Sequence, residues 1–258
     1  VFMFQNNLLL LMVIVTSTLV SCQKEKLITN TKQASLTDVL VKTKIYSNHN
    51  SETYYYDSQK RVSKIEFLED GHSYYFEYTY LSNKVLEYRS NEPKHELEET
   101  LPNGTIRLNC TSNPRIYPIN SAGFYTGNTS NCNSSSFIYD ANGFVSKHTM
   151  EMIDFSNEAT LNNDGKNIIT ATNNGFSFGG GKFENNVIYQ YIKDSKNTIG
   201  NANMGKNYLG KSSENLVKTE EVGLNKTTYS YELDEQQRVI SVTMNNSIGA
   251  AKTCYSYY

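Results

Sequence analysis

The sequence predicts an all-β fold, in which an antiparallel meander forms a strongly curved sheet or half-barrel. Three observations carry this prediction. The 258 residues include 20 Tyr and no Trp, and Asn and Ser are plentiful, a composition that suits strands and turns better than helices. From residue 39 onward, short runs of alternating apolar and polar residues are separated by polar turns. The connections are also short, which favours antiparallel hairpins over parallel crossovers.

The first five predicted strands follow one another closely, at residues 39–46, 53–56, 62–68, 73–80 and 85–88. Successive side chains of a strand point to opposite faces, so one face of the fourth strand carries four aromatic residues: Tyr74, Phe76, Tyr78 and Tyr80. Such a face can form a platform for a carbohydrate or a protein. The alternative is that these residues belong to the core, because buried strand faces need such side chains anyway. They are the candidate aromatic binding face.

The middle of the chain is less regular in pattern. Residues 101–135 hold three prolines and two cysteines, and we expect long loops there with one strand at 105–109. A second long connection with one helical turn is expected at 200–221. The remaining predicted strands lie at 136–139, 144–153, 166–172, 182–192, 226–233, 238–245 and 252–258.

Three of the turns share one pattern, beginning at Asp57, Asp140 and Asp234. In each, an Asp that can cap a tight turn is followed by three mostly polar residues and then by a strand that starts apolar. These units resemble the Tyr-Asp hairpin repeats of bacterial cell-surface proteins. Their spacing is irregular, so a regular solenoid is not expected.

The N-terminal segment has the features of an export signal. Residues 1–21 carry no charged side chain, and their apolar run at 8–15 is shorter than the roughly 20 residues that span a bilayer. Residues 19–22, Leu-Val-Ser-Cys, resemble the bacterial lipobox, in which cleavage precedes a cysteine that becomes acylated. We therefore predict a signal peptide at 1–21 and lipidation at Cys22. The alternative is an ordinary secretory signal followed by an incidental cysteine.

A polar tether at 22–37 then leads to a single β-meander domain at 38–258. The tether begins with Gln-Lys-Glu-Lys at 23–26, which partly resembles the charged signal of surface-exposed Bacteroidota lipoproteins and equally suits a solvated linker. Three cysteines follow Cys22, and an exported protein meets an oxidising compartment. The loop-like segment between Cys110 and Cys132 makes them our first choice for a disulfide, although the pairing is not fixed by the sequence.

Two apparent activity motifs lack the context that their chemistry needs. Residues 175–179 match G-x-S-x-G, but a serine-hydrolase elbow requires a following helix and a later histidine, and all four histidines precede Ser177. Residues 205–212 match the phosphate-loop pattern, but no hydrophobic strand leads into them. No spacing indicates a metal site, and a net charge of −2 gives no sign of a nucleic-acid partner. We therefore expect no catalytic residue, metal, cofactor or nucleotide.

The lipobox, the tether, the Asp turns and the stretch at 208–216 together resemble Bacteroidota lipoproteins of unknown function with a porin-like β-meander domain. That resemblance implies a lipid anchor in the outer membrane, on its periplasmic face or at the cell surface, and supplies no catalytic residues. We predict a non-enzymatic cell-envelope binding or scaffold module. Its partners would be the lipid bilayer, through acylated Cys22, and a glycan or envelope protein. The alternative function is an envelope hydrolase that uses carboxylates in the concavity of the sheet.

Overall fold

The computed structural model describes residues 39–90, 98–100, 106–108, 114–128, 133–152, 155–177 and 181–258. Fifteen strands form one curved antiparallel sheet, and two short strands, β6 and β7, pair separately. The strands are β1 (Val41–Tyr46), β2 (Ser51–Tyr56), β3 (Val62–Glu69), β4 (His72–Tyr80), β5 (Lys84–Arg89), β6 (Glu98–Thr100), β7 (Ile106–Leu108), β8 (Arg115–Pro118), β9 (Asn133–Tyr139), β10 (Val145–Met152), β11 (Phe155–Asn163), β12 (Ile168–Phe176), β13 (Lys182–Lys196), β14 (Asn215–Val222), β15 (Asn225–Leu233), β16 (Val239–Asn246) and β17 (Gly249–Tyr257). The predicted all-β meander is confirmed.

The sheet consists of two meanders that meet where β1 pairs with β17. Strands β1 to β5, with β8 beside β5, form one side, and β17 down to β9 form the other. Residues 124–128 lie between the edge strands β8 and β9. The Thr126 amide donates to the Pro118 carbonyl at 2.9 Å, and the Thr126 carbonyl accepts from the Phe137 amide at 3.0 Å. The backbone groups of both edges thus find partners in this segment.

Four turns of the sheet share one geometry, and they begin at Asp57, Asn120, Asp140 and Asp234. In each, the side-chain oxygen of the first residue accepts hydrogen bonds from the amides of the third and fifth residues. The fourth residue has a positive φ in every copy. The shared pattern predicted at the three Asp turns is therefore confirmed as a common conformation, and the turn at Asn120 is a fourth copy.

These four turns lie at the same end of the sheet as Val41, where β1 begins. We call this the plug end, after the connecting segment that crosses it and is described below. Antiparallel order places the β3–β4, β10–β11, β12–β13, β14–β15 and β16–β17 turns at the opposite end, which we call the mouth end. The inner face of the sheet, toward the plug end, carries the main buried cluster: Val41, Tyr54, Val62, Ile65, Tyr78, Val85, Tyr125, Tyr208 and Tyr257. Within the described part of the chain, no helix is long and apolar enough to cross a membrane.

The structure also differs from the sequence-based prediction of individual strands. β6, β8 and β11 were not predicted, and all of β14 except its last residue lies in the predicted connection 200–221, so that part of the prediction was wrong. Of the eight residues of β14, Leu216 and Thr219 are buried. Because most of the others are polar or charged, the period-two signal is weak, and backbone pairing with β13 and β15 holds the strand in place. The expected helical turn is present as one 3-10 turn at Asn207–Leu209.

Candidate functional site

A long connection crosses the plug end of the inner face. Residues 197–214 join β13 to β14, and we call them the plug segment. Their backbone bonds to both meanders measure 2.7–3.0 Å and join Val41 N to Asn203 O, Val62 N to Gly205 O, Tyr125 N to Tyr208 O, Lys211 N to Gly143 O and Glu214 N to Lys166 O. Because these partners lie on distant parts of the chain, the plug segment ties the two meanders together at one end.

The phosphate-loop pattern at 205–212 belongs to the plug segment and has a packing role there. Gly205 has a φ of 66°, and a Cβ on it would lie 2.5 Å from the Val62 nitrogen. Gly210 has a φ of 85°, and a Cβ on it would lie 2.5 Å from a tyrosine ring carbon. The only helical element here is the 3-10 turn at Asn207–Leu209, so the strand–loop–helix arrangement that cradles phosphates is not formed.

Tyr208 is the buried centre of the plug segment, with 6% of its surface exposed. Its ring centroid lies 5.5 Å from that of Tyr117 and 6.2 Å from that of Tyr80. Burial, reinforced by neighbouring tyrosines and Glu87, raises the pKa of the Tyr208 hydroxyl. Aromatic contacts of this kind are worth about 0.5–1.5 kcal/mol each beyond the area that they bury, so they help to seat the segment.

Glu52, on β2, is the centre of a polar cluster on the inner face. Its carboxylate accepts hydrogen bonds from the hydroxyls of Tyr46 and Tyr54, and the Lys44 ammonium lies 3.5 Å from it. Burial alone would raise the pKa of Glu52. The two tyrosine hydroxyls, together with Lys44 and Lys206, outweigh it, and the pKa is lowered. Glu52 is therefore an ionised, pre-oriented acceptor.

Lys206 brings a positive charge from the plug segment toward the same region. Its ammonium lies 5.9 Å from the centroid of the Tyr54 ring. Burial lowers the pKa of Lys206, while the nearby carboxylates of Glu52 and Glu87 oppose that shift. The charge of Glu52 is thus partly balanced by two lysines, Lys44 and Lys206, that approach from different elements.

Glu87, on β5, forms a second buried acidic centre near the plug segment. It is 5% exposed, and its Oε2 accepts hydrogen bonds from Tyr78 at 2.9 Å and Tyr117 at 3.2 Å. Its Oε1 lies 3.6 Å from the Arg89 Nε. Burial, with Glu87 next in effect, raises the pKa of Tyr117 to about 12. This centre is enclosed by side chains, and it stabilises the fold without offering a surface for a ligand.

At the mouth end, a cavity of about 460 Å³ opens beside Glu52, and we call it the mouth pocket. Its walls combine aromatic rings, two carboxylates, and amide and hydroxyl groups. They come from Tyr46, Ser47, Asn48, Asn50, Ser51, Glu52, Phe67, Leu68, Glu69 and Tyr74. The rings of Phe67 and Tyr74 stack with centroids 5.0 Å apart and planes 6° apart, and the Tyr74 hydroxyl donates to Glu69 at 2.9 Å. The pocket therefore combines an aromatic wall with hydrogen-bonding groups.

The four residues of the candidate aromatic binding face all lie on the inner face of β4, as the alternation predicted. They divide between two roles. Tyr78 is buried, and Tyr80 packs against Tyr208 and under the Arg61 guanidinium, 4.2 Å from the ring centroid. Tyr74 lines the mouth pocket, and Phe76 packs against Phe67 and Tyr74 just behind it. Only the mouth-end part of the predicted face can therefore meet a ligand, and binding there stays a prediction.

The sequence did not single out Glu52, Tyr46 or Phe67. They meet because β2 lies between β1 and β3, with Lys44 paired to Glu52 and Glu52 paired to Phe67. The register is continuous across β1, β2 and β3 at these positions. One sequence signal was present: Glu52, Tyr54 and Tyr56 alternate along β2, which places a carboxylate on an aromatic face.

The predicted cysteine sites fall in parts of the chain that the structure does not describe. Cys22, Cys110 and Cys132 lie outside the described residues, so the lipidation and the Cys110–Cys132 pairing stay predictions. Cys254 is buried in β17 and is disulfide-bonded. Its partner is also outside the described residues.

The G-x-S-x-G pattern is part of a hairpin. Ser177 follows β12, its hydroxyl donates to the Gly181 carbonyl at 3.4 Å, and β13 begins at the next residue. A strand therefore stands where a nucleophile elbow needs a helix. Gly175 lies directly opposite Phe183, where a Cβ would collide with the Ser156 carbonyl. Among the described residues, no group of three or more His, Cys, Asp or Glu side chains is placed to hold a metal ion.

Two further cavities flank the inner face. One, of about 690 Å³, lies between the mouth-end parts of β10 to β13 and is lined by Met150, Asn157 and Phe183 among others. The buried Oδ1 of Asn157 has no hydrogen-bond partner there. The other, of about 800 Å³, lies beside the plug segment and is edged by Lys166, Lys196 and other polar residues. Neither combines an aromatic wall with a buried ion in the way that the mouth pocket does.

Comparison with solved structures identifies the architecture. The fold is porin-like. A porin-like protein from Bacteroides uniformis superimposes with a TM-score of 0.55 at 12% sequence identity, covering 84% of this chain and 98% of that one. A porin-like protein from Bacteroides vulgatus superimposes with a TM-score of 0.56 at 9% identity, covering 86% and 99%. No protein-family model matches the sequence, and no curated protein matches it. At these identities the likeness concerns the fold alone.

Proposed function

We propose that this protein is a non-catalytic binding module of the bacterial cell envelope, which holds a glycan or short peptide in the mouth pocket. The observation that carries the proposal is the pairing of a stacked Phe67–Tyr74 wall with the ionised carboxylate of Glu52 in one cavity. A sugar ring stacks on aromatic faces through its C–H groups, and its hydroxyls donate to carboxylates and amides. The pocket supplies both kinds of contact.

The size of the cavity favours a small ligand over a protein surface. Small-molecule sites measure about 300–1,000 Å³, and the mouth pocket at about 460 Å³ falls in that range. Protein interfaces are broad and bury about 800 Å² on each partner, which a cavity of this size does not provide. A pyranose ring or a short peptide segment matches the pocket better than a folded envelope protein does.

The envelope location is supported by two independent features. Residues 19–22 resemble a lipobox, which would place an acyl anchor on Cys22. Two solved proteins that share this fold are porin-like proteins of Bacteroides species. We propose an outer-membrane anchor with the β domain in the periplasm or at the cell surface.

The hydrolase alternative has weaker support in the mouth pocket. A glycosidase needs one carboxyl group that stays protonated to act as the acid. Glu52 does not fit that role, because its lowered pKa keeps it ionised. The buried Glu87 is three strands away, about 14 Å along the sheet at about 4.8 Å per strand, farther than the roughly 5–10 Å between paired glycosidase carboxylates. Glu69, the other carboxylate of the pocket, is then the one candidate partner for Glu52 among the residues that line it.

The test is a screen of the purified protein against envelope glycans, short peptides and envelope proteins, followed by titration calorimetry on any ligand found. Tyr74→Ala should weaken binding about ten-fold, or about 1.4 kcal/mol, because it removes half of the aromatic wall. Tyr75→Ala is the matched control, since Tyr75 is the next residue of β4 and is exposed on the outer face.

Equal effects of the two substitutions would show that the ligand does not use the mouth pocket. An absence of any ligand in the screen would remove the binding proposal. Release of cleavage products from a bound glycan, abolished by Glu52→Gln, would instead favour the hydrolase.

A further inference from the structure

Exposed apolar side chains occur near turns at both ends of the sheet. Leu81, Ile138 and Ile169 lie near plug-end turns. At the mouth end, five hairpins carry an exposed apolar side chain at or next to the turn. These residues are Leu68, Met152, Phe176, Leu224 and Ile248.

Leu224 and Ile248 are the extreme cases. They have 105% and 95% of the reference exposure of their residue types, so neither packs against the protein. Both occupy tight two-residue turns, where Asn, Asp, Gly or Ser would serve the backbone as well or better. Neither residue therefore contributes to folding through burial, and both are fully available to contact a surface outside the chain.

The two tips lie side by side on the mouth end. They belong to the β14–β15 and β16–β17 hairpins, and β15 pairs with β16. Two strand spacings of about 4.8 Å separate the hairpins, so the tips are about 10 Å apart. Since Thr228 pairs with Asn245, the two hairpins end within a few residues of the same level. Both tips can therefore touch one flat surface together.

We propose that Leu224 and Ile248 insert into the interface of a lipid bilayer. The turns themselves, 222–225 and 246–249, contain no charged residue, so insertion desolvates no ion. The tips are separate aliphatic side chains that protrude into solvent. Protein-binding hot spots are instead enriched in Trp, Tyr and Arg within packed patches, and leucine is under-represented there. The bilayer fits this arrangement better than a protein partner does.

The length of chain before the sheet permits this orientation, a step that rests on the proposed anchor at Cys22. The chain enters β1 at the plug end, and β15, nine residues long, spans about 30 Å from one end to the other. Residues 22–38 reach at most about 55 Å when extended. An acyl chain on Cys22 and the two tips can thus share one bilayer.

The absence of tryptophan from the chain provides a clean probe. In protein produced from residue 23 onward, which keeps every described strand and lacks the anchor, Leu224→Trp or Ile248→Trp introduces a single reporter. On vesicles of phosphatidylcholine with one fifth phosphatidylglycerol, we expect a blue shift of its emission and quenching by brominated lipid. Leu81→Trp, an exposed turn residue at the plug end, is the matched control and should show neither.

In flotation with the same vesicles, Leu224→Asn and Ile248→Asn should each lower the partition coefficient about ten-fold, and the double variant about a hundred-fold. Leu81→Asn should leave it unchanged. Equal partition of all variants, or tryptophan emission that does not respond to lipid, would overturn the proposal. It would also be overturned if the Asn variants lost binding to an envelope protein while their partition into vesicles stayed unchanged. Because the test omits Cys22 and the mouth-pocket ligand, its failure leaves the proposed function standing.

Discussion

Replacing Gln237 with glycine should stabilise the protein. Gln237 is the fourth residue of the turn that begins at Asp234, and its φ is 62°. The equivalent positions in two sister turns are Gly123 and Gly143, at 83° and 87°. A left-handed conformation costs an L-residue roughly 1–2 kcal/mol, and glycine avoids that cost. Gln237 is exposed, so little side-chain packing is lost in exchange.

The expected gain is smaller than the strain removed. Glycine also gives the unfolded chain more freedom, which offsets about 0.4–1 kcal/mol. The net effect is about 0.5–1 kcal/mol in the free energy of unfolding. In a domain of this size that corresponds to a rise of about 1–4 °C in Tm. Urea unfolding at constant m, with a thermal scan alongside, measures both quantities.

Two control variants isolate the cause. Gln237→Ala removes the side chain but keeps the strained backbone, so its stability should stay near that of the wild type. Gln236→Gly changes the preceding exposed residue, whose φ is not positive, and should destabilise by about 0.5–1 kcal/mol. If glycine had the same effect at 236 and 237, the left-handed conformation of residue 237 would be refuted.

Three further predictions concern the inner face. Gly205→Ala should lower the free energy of unfolding by more than 2 kcal/mol, since its Cβ would lie 2.5 Å from a β3 nitrogen. Gly165 also has a positive φ but lies in open space, so Gly165→Ala should show only the backbone strain in the same unfolding assay. The lowered pKa of Glu52 stabilises the fold at pH values above its unfolded pKa of about 4.5, and this contribution is lost as pH falls through the lowered folded pKa. The difference in free energy of unfolding between wild type and Glu52→Gln should therefore narrow as pH falls. A difference that stays unchanged from pH 7 to 3 would contradict this. Burial raises the pKa of Tyr54 and Tyr78 above the ordinary value near 10, so their contribution is present below pH 10 and is lost as pH rises toward the raised folded values. In a pH titration followed by tyrosinate absorbance, a fraction of the tyrosines should therefore ionise only when the protein unfolds. Ionisation of all tyrosines in one step at about pH 10 in the native protein would disprove this.

Part of this fold could be predicted from the sequence, because it depends on interactions between residues close together in the chain. The Asp at 57, 140 and 234 accepts amide hydrogen bonds within its own turn, so five residues suffice to predict the conformation. Alternation along residues 73–80 likewise placed the aromatic side chains of β4 on one face, because the strand period is a property of the backbone. Asn120 shows how narrow the pattern was: it forms the same turn, and an Asp-based search misses it.

The candidate site was not predictable in the same way. Glu52 joins the candidate site only because Lys44 and Phe67 lie beside it, and those neighbours depend on strand register. A shift by one residue would turn Glu52 to the outer face. Lys206 comes from a connection whose path depends on contacts with both meanders. The positions of Glu52 and Lys206 depend on contacts with residues distant in the sequence, so a local sequence pattern does not predict them.

The plug segment has a consequence for how this chain tolerates change. Surface connections usually accept insertions and deletions more readily than the strands they join. Here the backbone of residues 197–214 is bonded at five places to strands and turns far away in the sequence. Lengthening or shortening it would pull those bonds out of alignment together. An inserted tag or a circularly permuted terminus should therefore be placed at a short exposed turn of the sheet, and this longer connection is the one that protein engineers should leave intact.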